Sequence, residues 1–196
     1  MFSSILWCFT LLAPAVVARY DDYILAPSSR TLFPSSVLTI NGTVDNADSL
    51  CGSKRGSATF HGSSSVAYDY GKNIGGIVSI TVEQSSDDQQ YIGVAFSESS
   101  LWVSGSWSDA TADAGNDEIL WWKVTGPGKY TLEEKYVRGG FKYLILVHNT
   151  TGSVVVSEVS TNFSAVPHYT EDQLRNYTGW FNSNGLCCIS PIAFLR

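Results

Sequence analysis

Residues 102–122 hold the side chains of this sequence that are most suited to binding or catalysis. Four tryptophans are interleaved with polar and acidic residues: Trp102, Trp107, Trp121 and Trp122 with Ser106, Asp109, Asp113, Asp117 and Glu118. An indole packs on the apolar CH face of a sugar ring, while nearby polar groups bind its hydroxyls. Trp102 and Trp107 are therefore candidate sugar-stacking residues, and burial in the core is the open alternative. Trp121 and Trp122 follow an apolar pair, which favours packing in the core or between sheets.

The acidic residues of the same segment raise the question of a metal site. Calcium binds to carboxylate oxygens, but the spacing here is not the D-x-[DN]-x-[DN]-G pattern of a calcium loop. No C-x-x-C or His/Cys spacing suitable for zinc occurs either. We therefore expect a solvated acidic loop, no metal and no cofactor.

The sequence contains no recognisable motif of a serine-hydrolase catalytic triad. No G-x-S-x-G pentad occurs, and Asp48-Ser49-Leu50 lacks the leading glycine of an esterase motif. The three histidines, His61, His148 and His168, stand on separate segments without H-E-x-x-H spacing, so each is expected at the surface or in a turn. We expect no catalytic residue among these groups.

Composition limits the class of protein. The chain has 196 residues, of which 44% are hydrophobic and 15% charged, and this is typical of one globular domain. The net charge of −6 would repel nucleic acid.

The amino terminus predicts secretion. Residues 5–17 form an uncharged apolar run that is too short to span a bilayer, which requires about 20 helical residues. Val16 and Ala18 are small residues suited to signal-peptidase cleavage, so residues 1–18 are predicted to be a signal peptide, with no membrane segment after cleavage. Glycosylation is predicted at the sequon asparagines Asn41, Asn149, Asn162 and Asn176.

The cysteine content is considered for a secreted chain. Cys8 leaves with the signal peptide, and Cys51, Cys187 and Cys188 remain. Three cysteines allow at most one intramolecular disulfide, and its pairing is left open.

The segments that position the candidate binding residues are predicted to be β-strands. Residues 57–163 alternate short apolar stretches with Gly, Ser, Asn and Asp clusters, which predicts an antiparallel, jelly-roll-like β-sandwich over residues 19–165. Inward faces are predicted for three sets of alternating residues: Val66, Tyr68 and Tyr70; Val78, Ile80 and Val82; Ile92, Val94 and Phe96. Gly71 and the Gly75-Gly76 pair are expected to reverse the chain between the first two strands.

The chain after residue 140 is predicted to contain a central strand, a linker and an irregular tail. Phe141, Tyr143, Ile145 and Val147 alternate with Leu144 and Leu146, which indicates a central strand buried on both faces. Thr170 and Gln173 form a capping box that predicts a short helix within a linker over residues 166–182. Residues 183–196 are apolar without a period and form a divergent, irregular tail.

Several collinear blocks resemble the N-terminal region of secreted fungal α-L-rhamnosidases, enzymes of the six-hairpin glycosidase type. The most specific block is Tyr68-Asp69-Tyr70-Gly71-Lys72-Asn73-Ile74-Gly75-Gly76-Ile77-Val78-Ser79, which is similar to the D-F-G-K-N-x-x-G-x-V-S strand pair of that family. Other matching blocks include 26–32, 41–44, 98–102, 109–115, 138–144 and 177–181. Together the blocks span about residues 20 to 182.

The resemblance implies a β-sandwich ahead of an (α/α)6 barrel, which in that family carries the catalytic carboxylates and hydrolyses terminal α-L-rhamnosides. The sequence departs from the family after Asn182, so we expect a chain truncated before the barrel, without catalytic residues. Expected partners are that barrel or rhamnose-containing glycans. A non-catalytic accessory domain is the first interpretation, a free-standing secreted carbohydrate-binding module is the second, and an independent enzyme is the third.

Overall fold

The computed structural model describes residues 24–52, 56–109 and 118–176. Eight strands occur in this part of the chain: β1 Thr31–Leu32, β2 Ser36–Asp45, β3 Ala58–Ser85, β4 Tyr91–Ser97, β5 Leu120–Lys123, β6 Gly128–Thr131, β7 Arg138–His148 and β8 Ser153–Phe163. The helices among these residues are four 3-10 turns: Ala47–Leu50, Ser100–Trp102, Glu134–Tyr136 and Glu171–Gln173. The predicted all-β, antiparallel class is confirmed.

One curled antiparallel sheet forms both layers of the β-sandwich. In the first layer the strand order is β2, the first half of β3, β7, β4 and β5. In the second layer it is β1, β8, the second half of β3 and β6. Strand β3 therefore belongs to both layers and joins them.

The predicted chain reversal at Gly71 and Gly75-Gly76 is wrong. β3 continues from Asp69 to Ile74 along the same partner strand β7, which pairs these residues with Tyr143 and Phe141. The residues between them bulge out of register. Gly71 has a φ of +78°, which a glycine adopts without a steric penalty. The bulge bends one long strand instead of ending it.

The core lies between the layers and contains the residues predicted for it. All nine predicted residues of β3 and β4 are buried there: Val66, Tyr68, Tyr70, Val78, Ile80, Val82, Ile92, Val94 and Phe96. β7 is central and buried on both faces, as predicted, because Leu144 and Leu146 join the main core while Ile145 and Val147 join a smaller cluster on the outer side of the first layer.

Phe141 is the exception to the predicted faces of β7. Simple alternation assigns it to the face of Ile145, but it is packed in the main core with Leu144. The register shift between β3 and β7 at this point changes the face to which Phe141 turns. Its ring packs edge-on against Tyr70 and Phe96, with ring centroids 5.7 and 4.9 Å away.

The predicted capping box after the sandwich is present. Thr170 and Gln173 satisfy each other's backbone N–H groups around the 3-10 turn Glu171–Gln173, and Leu174 next to it is fully buried. Arg30 holds the preceding segment, because its guanidinium donates hydrogen bonds to the carbonyls of residues 163, 165, 166 and 169 at 2.5–3.0 Å. The segment thus extends the ordered part of the sandwich past the last strand.

The chain divides into two compact units. One comprises Ser28–Leu174 and is the sandwich. The other comprises Met1–Pro27 with Arg175–Arg196, where Arg175 donates hydrogen bonds to the carbonyls of Ile24 and Ala26 at 3.0 and 2.8 Å. Among the described residues, no helix has the length and apolar character needed to cross a membrane. The predicted signal peptide and divergent tail lie outside the described residues.

Candidate functional site

The connection between β4 and β5 carries Trp102 and Trp107 and is tied to the end of β4. The Ser97 hydroxyl lies 2.7 Å from both the Ser99 carbonyl oxygen and Asp109 Oδ2. Ser99 caps the 3-10 turn Ser100–Trp102, because its side chain accepts a hydrogen bond from the Leu101 N–H. Trp102 therefore lies in a short 3-10 turn whose N-terminal end is capped by Ser99.

Trp107 is held by a different set of bonds. The Phe96 N–H donates to Ser108 Oγ at 3.0 Å, and the Asp109 N–H donates to the Phe96 carbonyl at 3.2 Å. These bonds continue the edge of β4 beyond the point where β5 pairs with it. Trp107 itself lies opposite Glu118 in an antiparallel bridge. Both ends of the acidic segment are thus attached to the first layer.

The two candidate stacking residues are on the surface. Trp102 is 58% exposed and Trp107 is 41% exposed, and Leu101 beside Trp102 is 84% exposed. Neither tryptophan is part of the core, so both indoles are accessible to a ligand. Their role in sugar stacking stays a prediction.

Trp121 and Trp122 lie in different environments. Trp122 is half-buried and packs against the main core, as predicted. Trp121 is 40% exposed, so its predicted burial is wrong. Successive residues of β5 point to opposite faces, and Trp121 points to the outer face of the first layer. Since it lies in a strand next to β4, the sheet itself positions this third exposed indole.

Gly93 provides the surface on which the Trp121 ring lies. The register places Gly93 directly opposite Trp121. A Cβ atom added to Gly93 would lie 2.6 and 2.8 Å from Cε3 and Cζ3 of Trp121. The six-membered part of the indole therefore rests against the backbone of β4, and any larger residue would displace it.

The centre of this outer face is covered by the connection from β4 to β5. Ala67, Ala95, Ile145 and Val147 form the small apolar cluster there, and Val103 and Ile119 pack on it. The centre of this outer face is therefore closed, while Trp121 stays exposed on the same face.

The acidic residues do not form a described metal site. Within the described residues, no group of three or more metal-binding side chains comes together. Asp113 and Asp117 lie outside the described residues, as do the middle parts of the predicted acidic loop. Asp48-Ser49-Leu50 belongs to the 3-10 turn Ala47–Leu50.

His148 is buried at the end of strand β7, which corrects its expected position at the surface or in a turn. Its Nδ1 lies 2.6 Å from the Gly62 carbonyl oxygen, and its Nε2 lies 2.8 Å from the Thr150 hydroxyl and 2.9 Å from Gln90 Oε1. Gln90 in turn donates to the Asp87 carboxylate at 2.8 Å, and this bond lowers the pKa of Asp87. This network joins the turn after β7 to the turn before β4. The other two histidines are exposed, as predicted, and His61 pairs with Asp45 at 3.0 Å.

We expect the stability of the protein to fall when His148 becomes protonated. Burial lowers the pKa of His148 below its ordinary value of about 6.5, so the unfolded chain binds a proton more readily than the folded one. The stabilising difference is complete above the unfolded pKa and is lost as the pH falls through and below it. Urea denaturation between pH 7.5 and 5 should therefore show a falling midpoint. A His148→Gln variant should lose less over this range, whereas exposed His168→Gln should behave like wild type; equal slopes in all three would contradict the prediction.

The four predicted glycosylation sites are accessible. Asn41 lies in strand β2, Asn149 in the turn after β7, Asn162 near the end of β8, and Asn176 at the end of the described chain. All four are exposed. Glycosylation itself stays a prediction.

The disulfide prediction falls partly outside the described residues. Cys51 is buried at the end of the 3-10 turn Ala47–Leu50 and belongs to the main core. Cys187 and Cys188 are outside the described residues, so their pairing stays a prediction.

Comparisons with known proteins find similarity of backbone structure only. No family model and no curated protein matches the sequence. A rhamnosidase from Klebsiella oxytoca with bound rhamnose is similar over 74% of this chain and 31% of its own, with 15% identity and a TM-score of 0.47. A rhamnosidase of Bacillus sp. GL1 is similar over 52% of this chain and 10% of its own, with 15% identity and a TM-score of 0.37.

A smaller protein is similar over nearly its whole length. A fucose-binding module of Streptococcus pneumoniae is covered over 94% of its chain and 71% of this one, with 16% identity and a TM-score of 0.37. This chain therefore spans less than a third of each of the two rhamnosidases and most of the module. At such identities and TM-scores the likenesses carry no argument about function, which has to be argued from the residues of this chain.

Proposed function

We propose that this chain is a non-catalytic β-sandwich that binds carbohydrate through its exposed tryptophans. One observation carries the proposal: Trp102, Trp107 and Trp121 all come from residues 99–123, and each is at least 40% exposed. Exposed indoles that are held by an ordered sheet and its attached turns lose little conformational entropy when a sugar ring packs on them.

The proposed function includes the larger protein to which this domain would belong. The collinear blocks support an N-terminal accessory domain of an α-L-rhamnosidase-like glycoside hydrolase, secreted and N-glycosylated, with rhamnose-containing glycans as ligands. The exposed acceptor asparagines are compatible with that context. A free-standing module is the second form of the same proposal. Docking on a catalytic barrel would involve residues 177–181, which lie outside the described residues.

The proposal is tested by binding of the secreted protein to a rhamnose-containing polymer. We expect retention on immobilised rhamnogalacturonan in affinity electrophoresis. Trp102→Ala and Trp107→Ala should each weaken retention about tenfold, since loss of about 1.4 kcal/mol of stacking and apolar burial corresponds to that factor.

Val137→Ala is the matched control, because Val137 is another exposed apolar residue, 44% accessible, that lies outside the 99–123 segment. It should leave retention unchanged. Absence of retention on this polymer and on a panel of other plant polysaccharides would overturn the binding proposal. Hydrolysis of an aryl α-L-rhamnoside above the rate of a blank would overturn its non-catalytic part.

A further inference from the structure

We infer that Trp121, Tyr91 and Lys123 form the principal subsite of this surface, which accepts one pyranose ring at the β4–β5 edge of the first layer. The inference rests on the proposed carbohydrate binding and identifies where the sugar ring packs. It assigns the main stacking contact to Trp121, a residue that the sequence pattern places in the core.

The three side chains share one face of the sheet. Tyr91 is paired with Lys123, and Gly93 is paired with Trp121. Directly paired residues of antiparallel strands point to the same face, and so do residues two apart along one strand. Tyr91, Trp121 and Lys123 therefore all project from the outer face, around the position that Gly93 leaves without a side chain.

The Trp121 indole is held in a fixed position. The Trp121 ring is so close to Gly93 that a Cβ atom there would lie 2.6 Å from Cε3, and Ile119 Cγ2 is also in contact with that position. One part of the ring is thus held against the sheet, while 40% of the residue remains accessible. A ring held in this way presents an ordered apolar surface to the CH face of a sugar.

Two polar side chains accompany the Trp121 ring on this face. Tyr91 is 36% exposed and offers a phenolic hydroxyl, and Lys123 is exposed and offers an ammonium group. Within residues 24–52, 56–109 and 118–176, Lys123 makes no ion pair. Both groups are thus available to the hydroxyls of a sugar that packs on Trp121, and an apolar platform with a few polar groups is typical of small-ligand sites.

The location also suggests two sources of the sugar ring. The pairs Gly93 with Val147 and Ile92 with His148 set the register of β4 and β7, and continuing it by one residue brings Asn149 opposite Tyr91. Asn149 is a sequon asparagine and is exposed. A pyranose on this subsite can therefore come from a separate glycan or from the chain's own glycan at Asn149.

The test measures binding of methyl α-L-rhamnopyranoside, methyl β-D-galactopyranoside and methyl β-D-glucopyranoside by ligand-observed NMR, with and without Asn149→Gln. In the Asn149→Gln background, we expect Trp121→Ala to weaken binding of the preferred glycoside at least tenfold. Gly93→Ala should have a similar effect, because it retains the indole and displaces it. Lys123→Met should weaken binding about threefold to tenfold.

Folding is checked separately, and Val137→Ala, at an exposed apolar residue outside residues 99–123, serves as the control. Trp121→Ala should keep the wild-type thermal midpoint to within a few degrees, because the side chain is not in the core. Binding by Asn149→Gln but not by the glycosylated wild type would support the subsite and identify the chain's own glycan as its occupant. Equal binding by both would support it with a separate glycan as ligand.

Two results would overturn the inference, and they are distinguishable. If Trp121→Ala and Gly93→Ala bind within twofold of their background while Trp102→Ala or Trp107→Ala abolishes binding, the subsite is elsewhere and the proposed function stands. If neither glycosylated nor unglycosylated protein binds any of the glycosides or the polymers, both the subsite and the proposed function fail.

Discussion

Replacing Phe141 with alanine should lower the free energy of unfolding by about 3 to 5 kcal/mol, the usual cost of removing a buried aromatic ring. Phe141 is fully buried, and its ring packs edge-on against Tyr70 and Phe96. The substitution therefore leaves a cavity at the bulge in β3, where the strand passes from one layer to the other. Urea denaturation followed by fluorescence measures the change.

Leu101→Ala is the control for this experiment, because Leu101 is a large apolar residue that is 84% exposed. It should change the free energy of unfolding by less than about 0.5 kcal/mol. A Phe141→Ala variant as stable as the Leu101→Ala variant would mean that Phe141 does not belong to the main core.

A methyl group at Gly76 is expected to destabilise the protein by about 3 kcal/mol, at the upper end of the usual cost of overpacking. Gly76 is buried and is paired with Arg138 of β7 and with Phe163 of β8. A Cβ atom there would lie 2.8 Å from both the carbonyl carbon of Asn162 and Cγ2 of Thr161, and would also overlap the Asn162 carbonyl oxygen. Because backbone atoms are the obstacle, no rotation of a side chain relieves the overlap.

Gly139→Ala is the matched control, since a Cβ atom at Gly139 meets nothing within 4 Å. The yield of folded secreted protein and the urea midpoint should fall for Gly76→Ala and stay near wild type for Gly139→Ala. If the two alanine variants were equally stable, the close approach of β3 and β8 at Gly76 would be wrong.

Local periodicity was sufficient to predict most of the strands and their buried faces. In β4, alternation placed Ile92, Val94 and Phe96 on one face, and all three are in the core. Alternation likewise predicts the buried positions of Leu144 and Leu146 in β7. Alternation succeeds here because each residue in a regular strand faces opposite to its neighbours, whatever the partner strand is.

The errors occur where a distant pairing changes a local pattern. The glycines at 71, 75 and 76 suggested a turn, but β7 pairs with β3 on both sides of them and keeps one strand in one direction. Phe141 changed face because of the register shift at the same point. Both outcomes depend on residues more than 60 positions apart along the chain, and a local pattern does not contain them.

The candidate site was only partly predictable for the same reason. Polar neighbours make Trp102 and Trp107 candidate binding residues from the sequence alone, whereas Trp121 lies in an apolar run that predicts burial. Its exposure follows from pairing with Gly93, which lies 28 positions earlier and leaves the outer face open for the ring. The sequence likewise predicts His148 at the surface or in a turn. Its burial depends on Gln90 and Gly62, which are distant in the chain and contact it only in the folded protein.

The sequence by itself determined the all-β class, the inward faces of the regular strands and the capping box at Thr170 and Gln173, because these depend on residues within a few positions of one another. The tertiary structure alone decided the continuity of β3 and the core position of Phe141. It also decided the burial of His148 in its hydrogen-bond network and the exposed position of Trp121 against Gly93. Those features arise from strand register, and register is set by contacts between residues that are far apart in the chain.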